Sequence, residues 1–429
     1  MRMLWLHIRN SPIRWALPIL VILDLAVLFI RSRHWIGVWP DTGATAQIPA
    51  YLVGVVGAGA AAWSATATDR HSTGEQLNAA RVHPATMEGY RLGATIVILL
   101  IPYLVGQAAG FVLTARTFPP GLHLWLGYVV LGVFITLLSI AVGWTMGKIF
   151  GSVFAALVAA LGFPLLVGFL DRQGGFIVVS GRSPMTVDVM ALTIRFGAVS
   201  ALLLALLWIP GSGRPRGRHL PLPIAAALVL AVALSSTAPV VPREPAGDRA
   251  RCVAGPTLLC VWPESEKYVP QLDAVNSRIA ELPDAFVLPP RVNEWGIDTG
   301  LQYGNYTDER LENPDAAPYF HILEGSPWSY VSDIGRAITD ATFEFQNYQG
   351  CRWASTSVAD TDRLQVVDAW LESYLVGATA PDFRTDASAE TQSNWAEGRA
   401  MLDLPRAEQF SWAEGEVDEL RGRYCRSGQ

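Results

Sequence analysis

Charge is scarce in this chain. Charged residues make up 16% of its 429 residues, against about 25% in ordinary soluble proteins. Lysine is nearly absent; Lys148 and Lys267 stand alone, and arginine and alanine fill its place, as in a GC-rich coding genome. The formal net charge is -6, and most acidic residues follow position 240. No basic footprint for nucleic acid exists, so no nucleic-acid partner is expected. Catalytic motifs are missing as well. The nearest approach to a phosphate-binding loop, GWTMGKI at 143–149, is one residue short and lacks the Ser or Thr that would contact magnesium. Neither HExxH nor GxSxG occurs. The chain is therefore read as a non-enzyme with no catalytic residues, no metal and no cofactor.

Cysteine is rare and unevenly placed. Cys252, Cys260, Cys351 and Cys425 all follow the last apolar run. Cysteines confined to one exported domain read as disulfides in an oxidising compartment; four buried free thiols are the alternative. There is no CxxC pair, and His321, in PYFHILEG, is the only histidine of this region, so it reads as structural rather than as a ligand. The expected pairs are Cys252–Cys260, across a strand entrance, and Cys351–Cys425, tying the last helix to the domain centre. Four cysteines allow three connectivities.

Long apolar runs fill the first part. A spanning helix needs about 20 mostly apolar residues, and seven segments approach or meet this: 15–30, 48–66, 92–113, 122–146, 153–170, 187–209 and 220–238. The first is short and holds Asp24; the fifth holds Pro164, where a kink is expected. Arg2, Arg9 and Arg14 precede span one, Arg70, Arg81 and Arg91 follow span two, Lys148 follows span four, and Arg214, Arg216 and Arg218 follow span six. With seven spans these fall on one side, which places the N-terminus in the cytoplasm and the C-terminus outside. Ala44–Thr45–Ala46 resembles a signal-cleavage site but lies far beyond the apolar run, so the first span is read as retained.

Small residues recur at four-residue spacing at Gly54, Ala58 and Ala62, and again at Gly143, Gly147 and Gly151. Such stripes let helices approach, either across a dimer seam or within one chain. Asp24 and Arg195 both lie roughly 10–12 Å inside their spans. Intramembrane charges pair or face a polar cavity, so a salt bridge between them is expected, with snorkelling of Arg195 as the alternative.

The loop 69–90 reads DRHSTGEQLNAARVHPATMEGY. Ser72 with Glu75, and Thr73 with Gln76, form overlapping capping boxes for a short helix over 74–82. Pro84 ends it and suits the first turn of the next helix.

The order of a basic amphipathic N-terminus, a span, a small-residue span ending AAAWSATATDR, and the helix GEQLNAARVHP entering span three resembles the membrane subunits of ABC-2 type transporters from high-GC bacteria. The resemblance covers spans one to six, about half of the chain. It implies a permease-type subunit of an exporter, with an ABC ATPase subunit as partner and a homodimer or second permease chain beside it. It also implies that Glu75, Gln76, Leu77 and Arg81 dock the ATPase. Span seven and the large outer domain depart from the family plan. They leave a second reading, a membrane-anchored receptor, sensor or accessory protein whose outer domain binds a ligand or protein.

After span seven, PVVPREPAGDRA reads as a linker. Strands are expected at 257–262 and 285–288, and helices over 267–282, 364–375 and 406–424. The expected architecture is an α-helical polytopic membrane bundle of seven transmembrane helices (1–238), a linker (239–256) and a mostly helical α+β soluble domain (257–429). The expected location is the plasma membrane, multi-pass, with the lipid bilayer as a partner.

Overall fold

In a computed structural model of the protein, the residues described are 2–30, 35–67, 84–171, 184–208, 239–298, 317–322, 326–343, 358–377 and 389–424. The chain divides into two units, Met1–Arg243 and Glu244–Gln429.

The first unit is helical. Its helices are α1 (Arg2–Asn10), α2 (Leu17–Ile30), α3 (Trp39–Thr45), α4 (Ile48–Ala65), α5 (Pro84–Thr114), α6 (Leu122–Phe150), α7 (Phe154–Asp171) and α8 (Val189–Leu207). Among the described residues, four stretches are long and apolar enough to cross a membrane: Trp39–Ala65, Ala85–Thr114, Leu122–Phe150 and Val189–Leu207. Leu17–Ile30 and Phe154–Gly168 are apolar but shorter. The 14 residues of α2 reach roughly 21 Å at helical rise, less than the roughly 30 Å apolar core of a bilayer. Among the described residues four of the seven expected spans reach spanning length, and the seventh, 220–238, lies outside the described residues. The apolar helices nevertheless fit a membrane protein. Ile19, Ile22, Leu157, Leu161, Leu165, Val189 and Leu204 are exposed, which costs little only where lipid replaces water. Exposed Trp15 and Trp208 stand at helix ends, where amphipathic rings suit an interface.

The helix termini follow local chemistry. Pro84 opens α5, where a missing N–H costs nothing. Asp188 caps α8 by accepting from the backbone N–H groups of Met190 (2.8 Å) and Ala191 (3.1 Å). α4 packs along α6, α7 and α5. The two small-residue stripes meet each other within this chain: a Cβ on Gly143 would overlap the Ala58 carbonyl oxygen and lie 2.8 Å from Ala61 Cβ, and one on Gly147 would lie 2.7 Å from Ala65 Cβ. Gly151 takes no part in the seam; it ends α6 in the left-handed conformation.

Lys148 is buried rather than solvated. Its Nζ lies 3.4 Å from Glu88 Oε1, and Arg91 lies 3.6 Å from the same oxygen. Part of the expected linker is ordered structure: β1 (Met185–Val187) pairs antiparallel with β2 (Val240–Pro242). The apolar valines at 240 and 241 alternate sides and pair, which a proline-rich reading overlooks.

The second unit is α+β and mostly helical. Its elements are β3 (Arg251–Val253), β4 (Leu258–Val261), α9 (Val269–Ile279), β5 (Arg291–Glu294), β6 (Tyr319–Phe320), α10 (Pro327–Thr342), α11 (Val358–Val376), α12 (Ala389–Ala400) and α13 (Arg406–Tyr424). The sheet order is β3-β4-β5-β6, antiparallel for the first pair and parallel thereafter. No strand forms at 285–288; the strand comes after Pro289 and Pro290, which lack the N–H a ladder needs. α9 buries Leu272, Val275 and Ile279 as its spacing predicts. Glu294, 5% exposed, accepts from the Trp262 backbone N–H (2.8 Å) and Ser265 Oγ (3.0 Å), so a buried carboxylate holds the turn that leads into α9. α12 lies close on α11 through Gly398, whose Cβ would stand 2.9 Å from Ala369 Cβ. Arg363 joins α11 to both later helices, with Nη1 2.6 Å from Glu397 and Nε 3.0 Å from Glu416.

Cys252 and Cys260 face each other across β3 and β4 and form a disulfide. Cys351 and Cys425 lie outside the described residues. The bonded cysteines are 8 residues apart, so loop-closure entropy puts their contribution at about 2–3 kcal/mol. Cys252→Ser with Cys260→Ser is expected to lower the denaturation midpoint of this unit to that extent. An unchanged midpoint under oxidising conditions would remove the disulfide from the stabilising interactions.

Candidate functional site

Several buried polar side chains of the first unit gather along one stripe of α5. Tyr103, Gly106, Gln107, Gly110 and Thr114 recur at spacings of three and four, so they share a helix face. Two glycines in this stripe let neighbouring helices bring polar groups to the backbone. At Gly106 a Cβ would overlap Asp24 Oδ2 and lie 3.0 Å from its carboxyl carbon. At Gly110 it would lie 3.0 Å from Thr42 Cγ2. α2 thus supplies Asp24, and α3 supplies Thr42 and Gly43.

The hydrogen bonds run through the stripe. Tyr103, fully buried, donates its hydroxyl to the Val129 carbonyl at 2.9 Å and accepts from Gln107 Nε2 at 2.9 Å. Gly132 on α6 leaves the space the Tyr103 ring fills. Gln107 Nε2 also reaches the Gly43 carbonyl at 3.3 Å. Thr42 and Thr114 hydroxyls lie 2.8 Å apart. Around one end pack Trp39, Phe111 and Trp125, with ring centroids 5.0–6.0 Å apart.

Some polar atoms remain unsatisfied. Asp24 is 1% exposed, and neither carboxyl oxygen has a hydrogen-bond partner among the described residues. Gln107 Oε1 and both polar side-chain atoms of Gln47 are likewise buried without partners. A carboxyl, two amides, a phenol and two hydroxyls therefore sit inside an otherwise apolar bundle. Such groups are costly there and mark pathways or binding sites.

The expected salt bridge between Asp24 and Arg195 does not form. Asp24 lies on the face of α2 that meets α5, whereas α8, which carries Arg195, packs chiefly on α6. Arg195 is 1% exposed, and Asp188, about two turns away at the start of its own helix, is a carboxylate that acts on it. Snorkelling into solvent does not describe it either. The proposed docking residues Glu75, Gln76, Leu77 and Arg81 lie outside the described residues.

Sequence reasoning found Asp24 but missed its surroundings. The signal was present: PYLVGQAAGFVLT places two glycines and three polar residues on one face. The segment WPDTGAT was missed altogether, because Trp, Pro and Gly in seven residues read as a loop. In the structure it is α3, nearly all buried.

In the second unit His321 is structural. Its Nδ1 lies 3.0 Å from Asp333 Oδ2, which also accepts from its backbone N–H at 2.8 Å. Its ring lies 5.3 Å from those of Trp295 and Tyr319. Among the described residues no group of three or more His, Cys, Asp or Glu side chains could hold a metal.

Three comparisons with known proteins match nothing: no family model fits the chain, no curated protein matches it, and no solved structure matches its fold.

Proposed function

We propose that this chain is the membrane-spanning, permease-type subunit of an ABC transporter, with ATP hydrolysis on a separate chain. The observation that carries the reading is the polar stripe of α5, where Asp24 and Gln107 keep unpartnered oxygens inside the bundle. A purely anchoring bundle has no reason to retain a group that costs several kcal/mol to bury unpaired. The segment order of the first six spans adds the resemblance to ABC-2 permeases, and the family's direction is export.

In this reading the chain crosses the plasma membrane seven times, with the N-terminus cytoplasmic and the C-terminal unit outside. The Cys252–Cys260 disulfide supports an oxidising compartment for that unit. A homodimer or a second permease chain completes the transporter.

Affinity purification of the full-length chain from its native membranes tests the proposal. The expected result is a soluble ATPase in stoichiometric amount. Replacing Glu75 and Arg81 together by Ala is expected to leave insertion intact and to weaken ATPase recovery, each lost charged contact being worth about 1–3 kcal/mol. Absence of an ATPase, even after cross-linking in the membrane, rejects the permease reading and leaves the receptor or sensor class. If a demonstrated ATPase binds the double variant as well as the parent, the loop is not the dock.

A further inference from the structure

A second site stands in the C-terminal unit, apart from the membrane stripe. It is a cleft of about 440 Å³ lined by Arg278, Glu281, Ser373, Tyr374, Leu402 and Arg406, with Gly377 and Gln409 at its margins. That volume is within the range of small-molecule sites. Two arginines and one glutamate leave the lining with a formal charge of +1.

Each cation is held in place. Arg278 Nη1 donates to the Leu375 carbonyl at 2.6 Å, at the C-terminal end of α11. Gly377, with φ +73°, turns the chain there, and a Cβ on it would collide with the Arg278 guanidinium. The left-handed φ favours glycine, and a side chain there would push the arginine head aside. Arg406 donates to Tyr374 Oη at 3.0 Å and lies 5.3 Å over the Phe410 ring. Tyr374 is in turn stacked on the fully buried Trp370 at 5.5 Å. Gln409 is fixed by Leu402 and Leu404 carbonyls at 3.1 and 2.7 Å. The walls are preorganised, which lowers the ordering cost of binding.

A carboxylate already occupies the cradle. Glu281 accepts from Tyr374 Oη at 2.9 Å and forms an ion pair with Arg406. It comes from the turn after α9 and is about half exposed, 47% at the side chain, so swinging it into water costs little. Ser373, wholly buried in the same lining, has a hydroxyl without a partner among the described residues. Burial pushes the Tyr374 hydroxyl upward in pKa against the pull of Arg278, so the phenol stays a donor at neutral pH.

We propose that this cleft binds a small monocarboxylate, whose carboxylate replaces that of Glu281 on Arg406 and Tyr374, with Arg278 in the same lining, and whose apolar part lies against Leu402 and the Tyr374 ring. Glu281 is then an internal competitor that holds the Arg406 and Tyr374 donors in the empty cleft. The single surplus positive charge favours a monoanion, and the planar guanidinium suits a carboxylate. The inference stands whether or not the membrane unit transports.

The test uses the full-length protein in phosphatidylcholine nanodiscs, with benzoate as the probe in isothermal titration. Benzamide and inorganic phosphate are the comparisons. Saturable binding of one benzoate per chain is expected, with benzamide silent and phosphate weaker. Arg406→Gln is expected to weaken benzoate at least about tenfold. Glu281→Gln is expected to tighten it severalfold, a gain that a merely structural ion pair would not give. Arg406 is half exposed, so its variant keeps the fold testable, and the unfolding midpoint of each variant checks this. No saturable benzoate binding in either the parent or Glu281→Gln overturns the proposal. Benzamide or phosphate binding as tightly as benzoate overturns the monocarboxylate assignment.

Discussion

Gly143→Leu is expected to remove the folded membrane unit from detergent extracts. The backbone of α4 approaches α6 so closely at this point that even a methyl on Gly143 would overlap the Ala58 carbonyl oxygen. The obstacle is backbone, so no side-chain rotation relieves it, and the helices must part. Overpacking by a methyl costs about 1–3 kcal/mol; for leucine a cost above about 3 kcal/mol is expected. Gly162→Ala is the matched control. Nothing lies within 4 Å of a Cβ there, and alanine is the better helix former by about 1 kcal/mol. Thermal unfolding followed by size exclusion should show loss for the first variant and no loss, or a small gain, for the second. A folded monomer with unchanged melting for Gly143→Leu would mean that the seam serves contacts between chains instead.

Trp370→Ala is the largest effect expected in the C-terminal unit, about 3–5 kcal/mol. Trp370 is fully buried and gathers Phe286, Tyr374, Phe410 and Trp412 at 5.5–6.3 Å between centroids. These rings join the turn after α9 to α11 and α13, so one truncation loosens three segments. Its indole N–H also reaches Gln409 Oε1 at 3.4 Å. Trp370→Phe keeps most of the apolar area and is expected to recover more than half of the loss. Denaturant unfolding monitored in the C-terminal unit decides the matter. An alanine variant within about 1 kcal/mol of the parent would show that the cluster is not the core of this unit.

The two stabilities bear on function differently. Gly143 and Gly147 hold α6 on α4 and so keep the wall against which Tyr103 finds the Val129 carbonyl. Trp370 holds Tyr374, and through it the position of Glu281 and Arg406. Loss at either place is expected to disturb the polar site that the packing supports.

Much of the architecture was legible in residue pattern. The third, fourth, fifth and sixth apolar runs became helices with bounds near those expected, because a run of apolar residues has one stable backbone in lipid, the helix. The amphipathic spacing of Leu272, Val275, Ile279 and Leu282, and of Val367, Trp370, Leu371 and Tyr374, points to the inner faces of α9 and α11; all are buried except Leu282 and Tyr374, which are half-buried. The Cys252–Cys260 pair was legible from the short separation and the strand between. Four-residue spacing of small residues announced close helix approach, and Asp24 announced itself as a carboxyl within an apolar run.

What the tertiary structure alone decided is which surfaces meet. The stripe at Gly54, Ala58 and Ala62 and the stripe at Gly143 and Gly147 are each compatible with a second chain or with each other; only packing joined them through Ala58 and Ala61. The same holds for Asp24, whose place opposite Gly106 rather than Arg195 depends on α2 lying on α5 while α8 lies on α6. WPDTGAT became a helix because Trp39 found Phe111 and Trp125, and Thr42 found Thr114, more than 70 residues away. Local pattern sets the backbone of each segment, since its hydrogen bonds close within four residues. Partner choice rests on the fit of side-chain volumes and the pairing of polar groups between segments far apart in the chain, and no window of sequence contains both sides of those contacts.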